Sequence, residues 1–153
     1  MNPAGILLDT GPLVALLSRN DANHARARRL FAECVPPFRS CEAVVAEACF
    51  LMTKVHAEGP AEVVALGRRG LYDMAMSVDE HWTNIEALLR KYSDRPISLA
   101  DACLIRCAEL HREARILTFD GDFSVYKWAR NRKFEVLADS MTSAKLPRVP
   151  SRP

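Results

Sequence analysis

Gly5-Ile6-Leu7-Leu8-Asp9-Thr10-Gly11-Pro12-Leu13-Val14-Ala15-Leu16-Leu17 sets an unbroken apolar run against an acid, then a turn, then a second apolar run. The first run, Gly5 to Asp9, has no helical period and reads as a short buried strand. Thr10-Gly11-Pro12 then starts a helix, with Pro12 suited to the first turn, where its missing N–H costs nothing. Strand passing directly to helix is the pattern of an α/β protein, and the rest of the chain repeats it.

Outward from this stretch, a helix runs from about Ala22 to Cys34, with Ala25, Leu30, Phe31 and Cys34 facing one way and its arginines another. Pro36-Pro37 stops it, Phe38 to Ser40 is a brief strand, and Ser40 caps a helix from about Glu42 to His56. Glu58-Gly59-Pro60 breaks the chain before a helix near Ala61 to Arg69. Leu71 to Val78 reads as a strand, and Asp79 as the cap of a helix through Tyr92. After Asp94-Arg95-Pro96, Ser98 begins a helix to about Arg112. Arg115 to Phe119 is the clearest later strand and Lys133 to Leu137 the last. The expected fold class is α/β, a parallel sheet of about five strands with helices on both faces. Residues 1–140 form one domain, and 141–153, ending Pro150-Ser151-Arg152-Pro153, read as a proline-rich, basic, flexible tail.

Composition narrows the class. A chain of 153 residues supports one domain with a sizeable core, and 49% hydrophobic with 26% charged residues excludes a disordered protein. No apolar stretch approaches the roughly 18 residues of a membrane helix. Met1-Asn2-Pro3 precedes no basic-then-apolar leader, so the expected location is cytoplasmic. The five cysteines form no CxxC pair and read as small core residues kept reduced. They and the four histidines lack the clustered spacing of a zinc site. The net charge of +2 does not itself announce a nucleic-acid binder. Basic residues do collect at Arg26-Arg28-Arg29, Arg68-Arg69 and Lys127-Arg130-Arg132-Lys133. A basic rim around an acidic centre suits a polyanionic substrate, although solvated helix faces explain such groups equally well.

Four acids stand beside or inside apolar runs. Asp9 ends the first strand, at the edge where ligand sites form in open α/β sheets, or simply caps the next helix. Glu47 has Ala43, Val44, Phe50 and Leu51 as its neighbours three and four residues away, which places it on the buried face of its helix. The alternative for Glu47 is a salt bridge to Lys54. Ser98-Leu99-Ala100-Asp101 matches a capping box, yet Leu104, Ile105 and Ala108 continue the face of Asp101 along the core. Asp120 repeats the strand-then-acid arrangement, with an Asp120-Gly121 turn as its alternative, and Asp122 is a weaker fifth candidate. Carboxylates packed together resist ionisation unless a cation joins them. An all-oxygen set suits Mg²⁺, or Mn²⁺, far better than zinc or copper.

Leu7-Leu8-Asp9-Thr10-Gly11-Pro12-Leu13, Glu47 in an Ala-rich helix, Ser98-Leu99-Ala100-Asp101-Ala102 and Leu117-Thr118-Phe119-Asp120-Gly121-Asp122-Phe123 together resemble the PIN-domain family, especially its VapC-like toxin ribonucleases. The similarity spans about residues 5 to 139. It implies a three-layer sandwich around a five-stranded parallel sheet, an acidic pocket for Mg²⁺ or Mn²⁺, and cleavage of RNA. By position it implies Asp9 and Asp101 as principal metal ligands with Glu47 beside them. Asp120 and Asp122 would complete the site or hold a second ion, and Thr10 and Thr118 would be supporting hydroxyls. It also implies a homodimer and, for toxin members, a cognate antitoxin that inserts a basic side chain near the pocket.

The expected function is therefore a Mg²⁺-dependent endoribonuclease, the toxin of a toxin–antitoxin pair. The alternative is a non-catalytic RNA- or partner-binding module on the same scaffold. A haloacid-dehalogenase-type phosphatase also uses an aspartate after its first strand, but it wants a second acid two residues later, where Gly11 stands.

Overall fold

The computed structural model describes residues 4–140, and the expected tail at 141–153 lies outside the described residues. In chain order the strands are β1 (Leu7–Leu8), β2 (Phe38–Ser40), β3 (Tyr72–Met74), β4 (Arg115–Leu117), β5 (Lys127–Trp128), β6 (Arg132–Lys133) and β7 (Glu135–Val136). The helices are α1 (Thr10–Leu17), α2 (His24–Ala32), α3 (Glu42–Met52), α4 (Gly59–Arg68), α5 (Trp82–Lys91), α6 (Leu99–His111) and α7 (Leu137–Ser140). Five strands form one sheet in the order β3-β2-β1-β4-β7, and every pairing in it is parallel. The α/β class and the five-stranded parallel sheet are as the sequence predicts.

The central strands show why their runs are continuously apolar. Side chains alternate across a strand, so a strand covered on both faces needs apolar residues at every position. Leu7 and Ile116 enter one core cluster with residues of α5 and α6. Their neighbours Ile6, Leu8 and Leu117 enter a second cluster with residues of α1, α2 and α4. Helix α3 serves both, Val44 packing in the first and Ala48 and Met52 in the second.

Some local expectations change. Ser40 does not cap α3: it is still in β2, and its hydroxyl donates to the Leu8 carbonyl at 3.0 Å, leaving Cys41 at the cap position. The strand expected over Leu71 to Val78 ends at Met74. Asp79 lies within a 3₁₀ turn, Val78–Glu80, and accepts from the Trp82 indole at 3.1 Å, so His81 occupies the cap position of α5. An antiparallel β5–β6 hairpin precedes the last sheet strand and has no counterpart among the elements expected from the sequence. All five cysteines are free thiols, four buried and Cys49 half-buried, as small core residues should be. Among the described residues, no helix is long and apolar enough to cross a membrane.

The strand order positions the site. From β1 the chain moves to β2 and β3 on one side, then returns with β4 on the other side of β1. Such a reversal leaves a crevice beyond the carboxyl ends of the two central strands, because their following segments depart in opposite directions.

Candidate active site

Asp9 directly follows β1 and Thr118 directly follows β4, one step beyond the paired Leu8 and Leu117. Register therefore brings them side by side in the crevice. The Thr118 hydroxyl donates to Asp9 Oδ2 at 2.6 Å, and the Thr10 N–H at the start of α1 donates to Asp9 Oδ1 at 2.8 Å. Thr118 also accepts from the Asp120 N–H at 3.0 Å, which turns the chain after β4 back over the crevice. Asp101 arrives from the first turn of α6. There the Ser98 hydroxyl accepts from the Asp101 N–H at 3.0 Å, and Asp101 Oδ2 accepts from the Ser98 N–H at 3.3 Å. The capping box read in the sequence is present. It fixes the backbone while the carboxylate also takes a 3.3 Å hydrogen bond from the Tyr126 hydroxyl.

One carboxylate oxygen each from Asp9, Asp101 and Asp120 lies within 4.8 Å of the others. Asp9 and Asp101 are 6% and 7% exposed, whereas Asp120 is at the exposed mouth. Burial, opposed by the Thr118 and Thr10 hydrogen bonds and reinforced by Asp101 and Asp120, raises the Asp9 pKa to about 6. Asp101 is raised as well, chiefly by burial and then by Asp120 against its Ser98 and Tyr126 hydrogen bonds. Among the described residues no lysine or arginine forms an ion pair with any of the three. A set of clustered oxygen donors with no internal counter-charge fits a hard divalent cation, whose charge removes the repulsion and rewards the burial.

Glu47 and Asp122 lie differently. Glu47 is exposed, not on the buried face expected of it. Nearly every position of α3 around it is apolar, so its apolar neighbours do not mark the core side. The buried stripe is Val44, Ala48 and Met52, and Phe50 is 62% exposed. The Glu47 side chain nevertheless reaches the crevice, where Oε2 accepts from the Thr10 hydroxyl at 3.2 Å. Its proposed alternative partner, Lys54, lies over the Phe50 ring instead. Asp122 donates its N–H to Asp120 Oδ1 at 2.9 Å, while its own Oδ1 is 3.2 Å from the Arg95 guanidinium. Of this pair, only Asp120 contributes an oxygen to the clustered trio.

The PIN domain family model matches residues 6–129. The chain belongs to the PIN-domain family. Among solved structures, VapC20 of Mycobacterium tuberculosis, a sarcin-ricin loop cleaving toxin, aligns with a TM-score of 0.68 and 26% sequence identity. The match covers 84% of this chain and 99% of that one. No curated protein matches the sequence.

This PIN domain also recruits residues that the sequence pattern does not single out. Tyr126 stands six residues beyond Asp120 in a run of mixed character, and nothing local marks its hydroxyl as a neighbour of Asp101. Arg95 reads as part of a helix-ending Asp94-Arg95-Pro96 turn, yet it pins Asp122. Arg26 of α2 lies over the Phe119 ring, 4.9 Å from its centroid, and donates to the Ala138 carbonyl at 3.0 Å. It helps to line a recess of about 70 Å³ shared with Thr118 and Asp120.

Proposed function

We propose that this PIN-domain protein is a Mg²⁺-dependent endoribonuclease that hydrolyses RNA phosphodiester bonds, Mn²⁺ being able to replace Mg²⁺. The observation that carries the reading is the convergence of Asp9, Asp101 and Asp120 within 4.8 Å at the central crevice of the sheet. These three would hold the divalent ion, with Asp122 at the edge of the site. Bound there, the ion supplies Lewis-acid polarisation of a phosphoryl oxygen and lowers the pKa of water.

The protein's own groups do the rest. Thr10 and Thr118 hold the Asp9 oxygens in place, through the backbone N–H of one and the hydroxyl of the other. The Ser98 N–H and the Tyr126 hydroxyl both donate to Asp101 Oδ2 and fix that carboxylate likewise. Carboxylates oriented in this way need no rearrangement when charge develops on the phosphoryl group. Glu47, steadied by the Thr10 hydroxyl and open to solvent, is suited to orient a water molecule and accept its proton.

The likeness to VapC20, itself a toxin, supports a toxin role and with it a cognate antitoxin; the reading adds a homodimer and an antitoxin basic side chain that enters the acidic pocket. An adjacent small reading frame encoding a DNA-binding protein, and a sedimentation mass twice that of the chain, are the checks on these. For the chemistry, Asp101→Asn is expected to lower RNA cleavage by at least two orders of magnitude while leaving circular dichroism unchanged. EDTA is expected to do the same to the wild type, and added Mg²⁺ to restore it. Full cleavage by the variant, or in EDTA, would sink the proposal.

A further inference from the structure

We infer that the β5–β6 hairpin and the C-terminal end of α6 together form a docking site for the phosphate backbone of RNA, so that the substrate is an RNA extending well beyond the scissile bond. The inference rests on the ribonuclease reading and deepens it by naming where the substrate lies.

Backbone conformation marks this surface first. Among the described residues, three non-glycine residues have positive φ: Arg112 at 53°, Ala129 at 48° and Asn131 at 59°. All three belong to this one region. A left-handed conformation is unfavourable for a side-chain-bearing residue, and it persists where surrounding structure or function demands it. Here it ends α6 on Arg112 and turns the hairpin so that Arg130 and Arg132 flank the same open recess, of about 460 Å³. Trp128, almost fully buried, anchors the arrangement. Its indole N–H donates to the Lys133 carbonyl at 3.1 Å, and the guanidinium groups of Arg112 and Arg132 lie 5.4 and 5.3 Å from its ring centroid.

Charge is the second mark. A neighbouring recess shares Glu109 and Ala129 with the first and is lined by Lys91 and Lys127. Five cations thus surround two adjoining recesses in a chain of net charge +2. The one acid lining them, Glu109, is 3.5 Å from Arg106. Open recesses ringed by several separate cations suit a repeating polyanion rather than a single enclosed anion.

Position links the surface to the catalytic crevice. Helix α6 carries Asp101 in its first turn and Arg112 just past its end. The span is about 16 Å at 1.5 Å per residue, or about five nucleotides of a stacked strand rising 3.4 Å each. The hairpin is also tied to the crevice, since Tyr126 donates to Asp101 and the next N–H, of Lys127, donates to the Tyr92 hydroxyl at 2.9 Å.

The test uses the full chain and an RNA hairpin long enough to reach the patch, with a trinucleotide as the short comparison. Arg130→Glu combined with Lys91→Glu alters two exposed cations other than the two, Arg112 and Arg132, that lie over the Trp128 ring. Arg68→Glu combined with Arg69→Glu makes the same charge change at the C-terminal end of α4, which packs on the other core cluster. Binding of the RNA hairpin is read by anisotropy in EDTA over a salt series, and cleavage is then read with Mg²⁺. The patch variant is expected to bind roughly tenfold more weakly, with a log–log salt slope shallower by about 0.7–0.9 for each phosphate that is no longer neutralised. Its KM for the hairpin should rise in step, shrinking its preference for the hairpin over the trinucleotide, while the α4 variant behaves as wild type. Equal binding and equal slopes in the two variants would overturn the inference, even if both cleave RNA. Patch-dependent binding without cleavage in any divalent ion would uphold the docking site and overturn the nuclease reading.

Discussion

Asp9 accepts hydrogen bonds at both oxygens and yet is a poor place for a charge in the metal-free protein, because it is buried and faces two other carboxylates. Its pKa rises from 3.8 to about 6 on folding, so between these values the folded state holds a proton that the unfolded state has released. Stability without metal therefore falls as pH rises through that window, and above it the site carries a penalty of up to about 3 kcal/mol. Asp9→Asn is expected to raise the metal-free melting temperature at pH 7, by about 1–3 kcal/mol in stability, and to flatten the loss between pH 4 and 6. Mg²⁺ should stabilise the wild type and not the variant. Thermal melts in EDTA across pH would decide it, and a variant less stable than wild type at pH 7 would refute it. The burial of Asp9 and Asp101 was legible from the apolar runs around them. The exposure of Glu47 was not, because apolar residues surround α3 on nearly every side there. Nor was the role of Tyr126, since a hydroxyl donated across the fold leaves no trace in local spacing.

At the scale of elements, the strands most legible in the sequence are those buried on both faces, β1 and β4, whose pattern is dictated by two cores at once. The β5–β6 hairpin leaves no mark in the sequence because it has two residues in each strand, and Lys127-Trp128 and Arg132-Lys133 cannot display an alternating pattern. The α3–α4 junction shows how tightly the elements are set. Gly59 begins α4 against the end of α3, and a Cβ there would lie 2.4 Å from the Met52 carbonyl oxygen and 2.8 Å from its Cβ. Neither atom can move without shifting the backbone of α3. Gly59→Ala is expected to cost about 1–3 kcal/mol through overpacking, despite the better helix propensity of alanine. A denaturant midpoint unchanged from wild type would show that the junction yields more easily than this geometry allows.

At the scale of the whole molecule, charge among the described residues is sorted by location: Asp9, Asp101 and Asp120 converge at the carboxyl edge of the central strands, and five cations surround the recesses toward the far end of α6. A near-neutral total of +2 conceals this sorting, and in the sequence only the local clusters of arginine and lysine hint at it. The cysteines are sorted too. Cys41 sits at the head of α3, Cys103 two residues after Asp101, and Cys107 one turn further along α6, where burial pushes its thiol up to about 12. Only Cys49 is partly open to solvent. The protein thus carries its own chemical clock. A thiol-specific reagent should modify Cys49 first, Cys41, Cys103 and Cys107 only as fast as α3 and α6, which carry Glu47 and Asp101, open, and Cys34 only as fast as the chain after α2 leaves the other core cluster. If saturating Mg²⁺ slows the modification of Cys41, Cys103 and Cys107 and spares that of Cys49, the motion those three thiols time is the loosening of the acidic crevice itself.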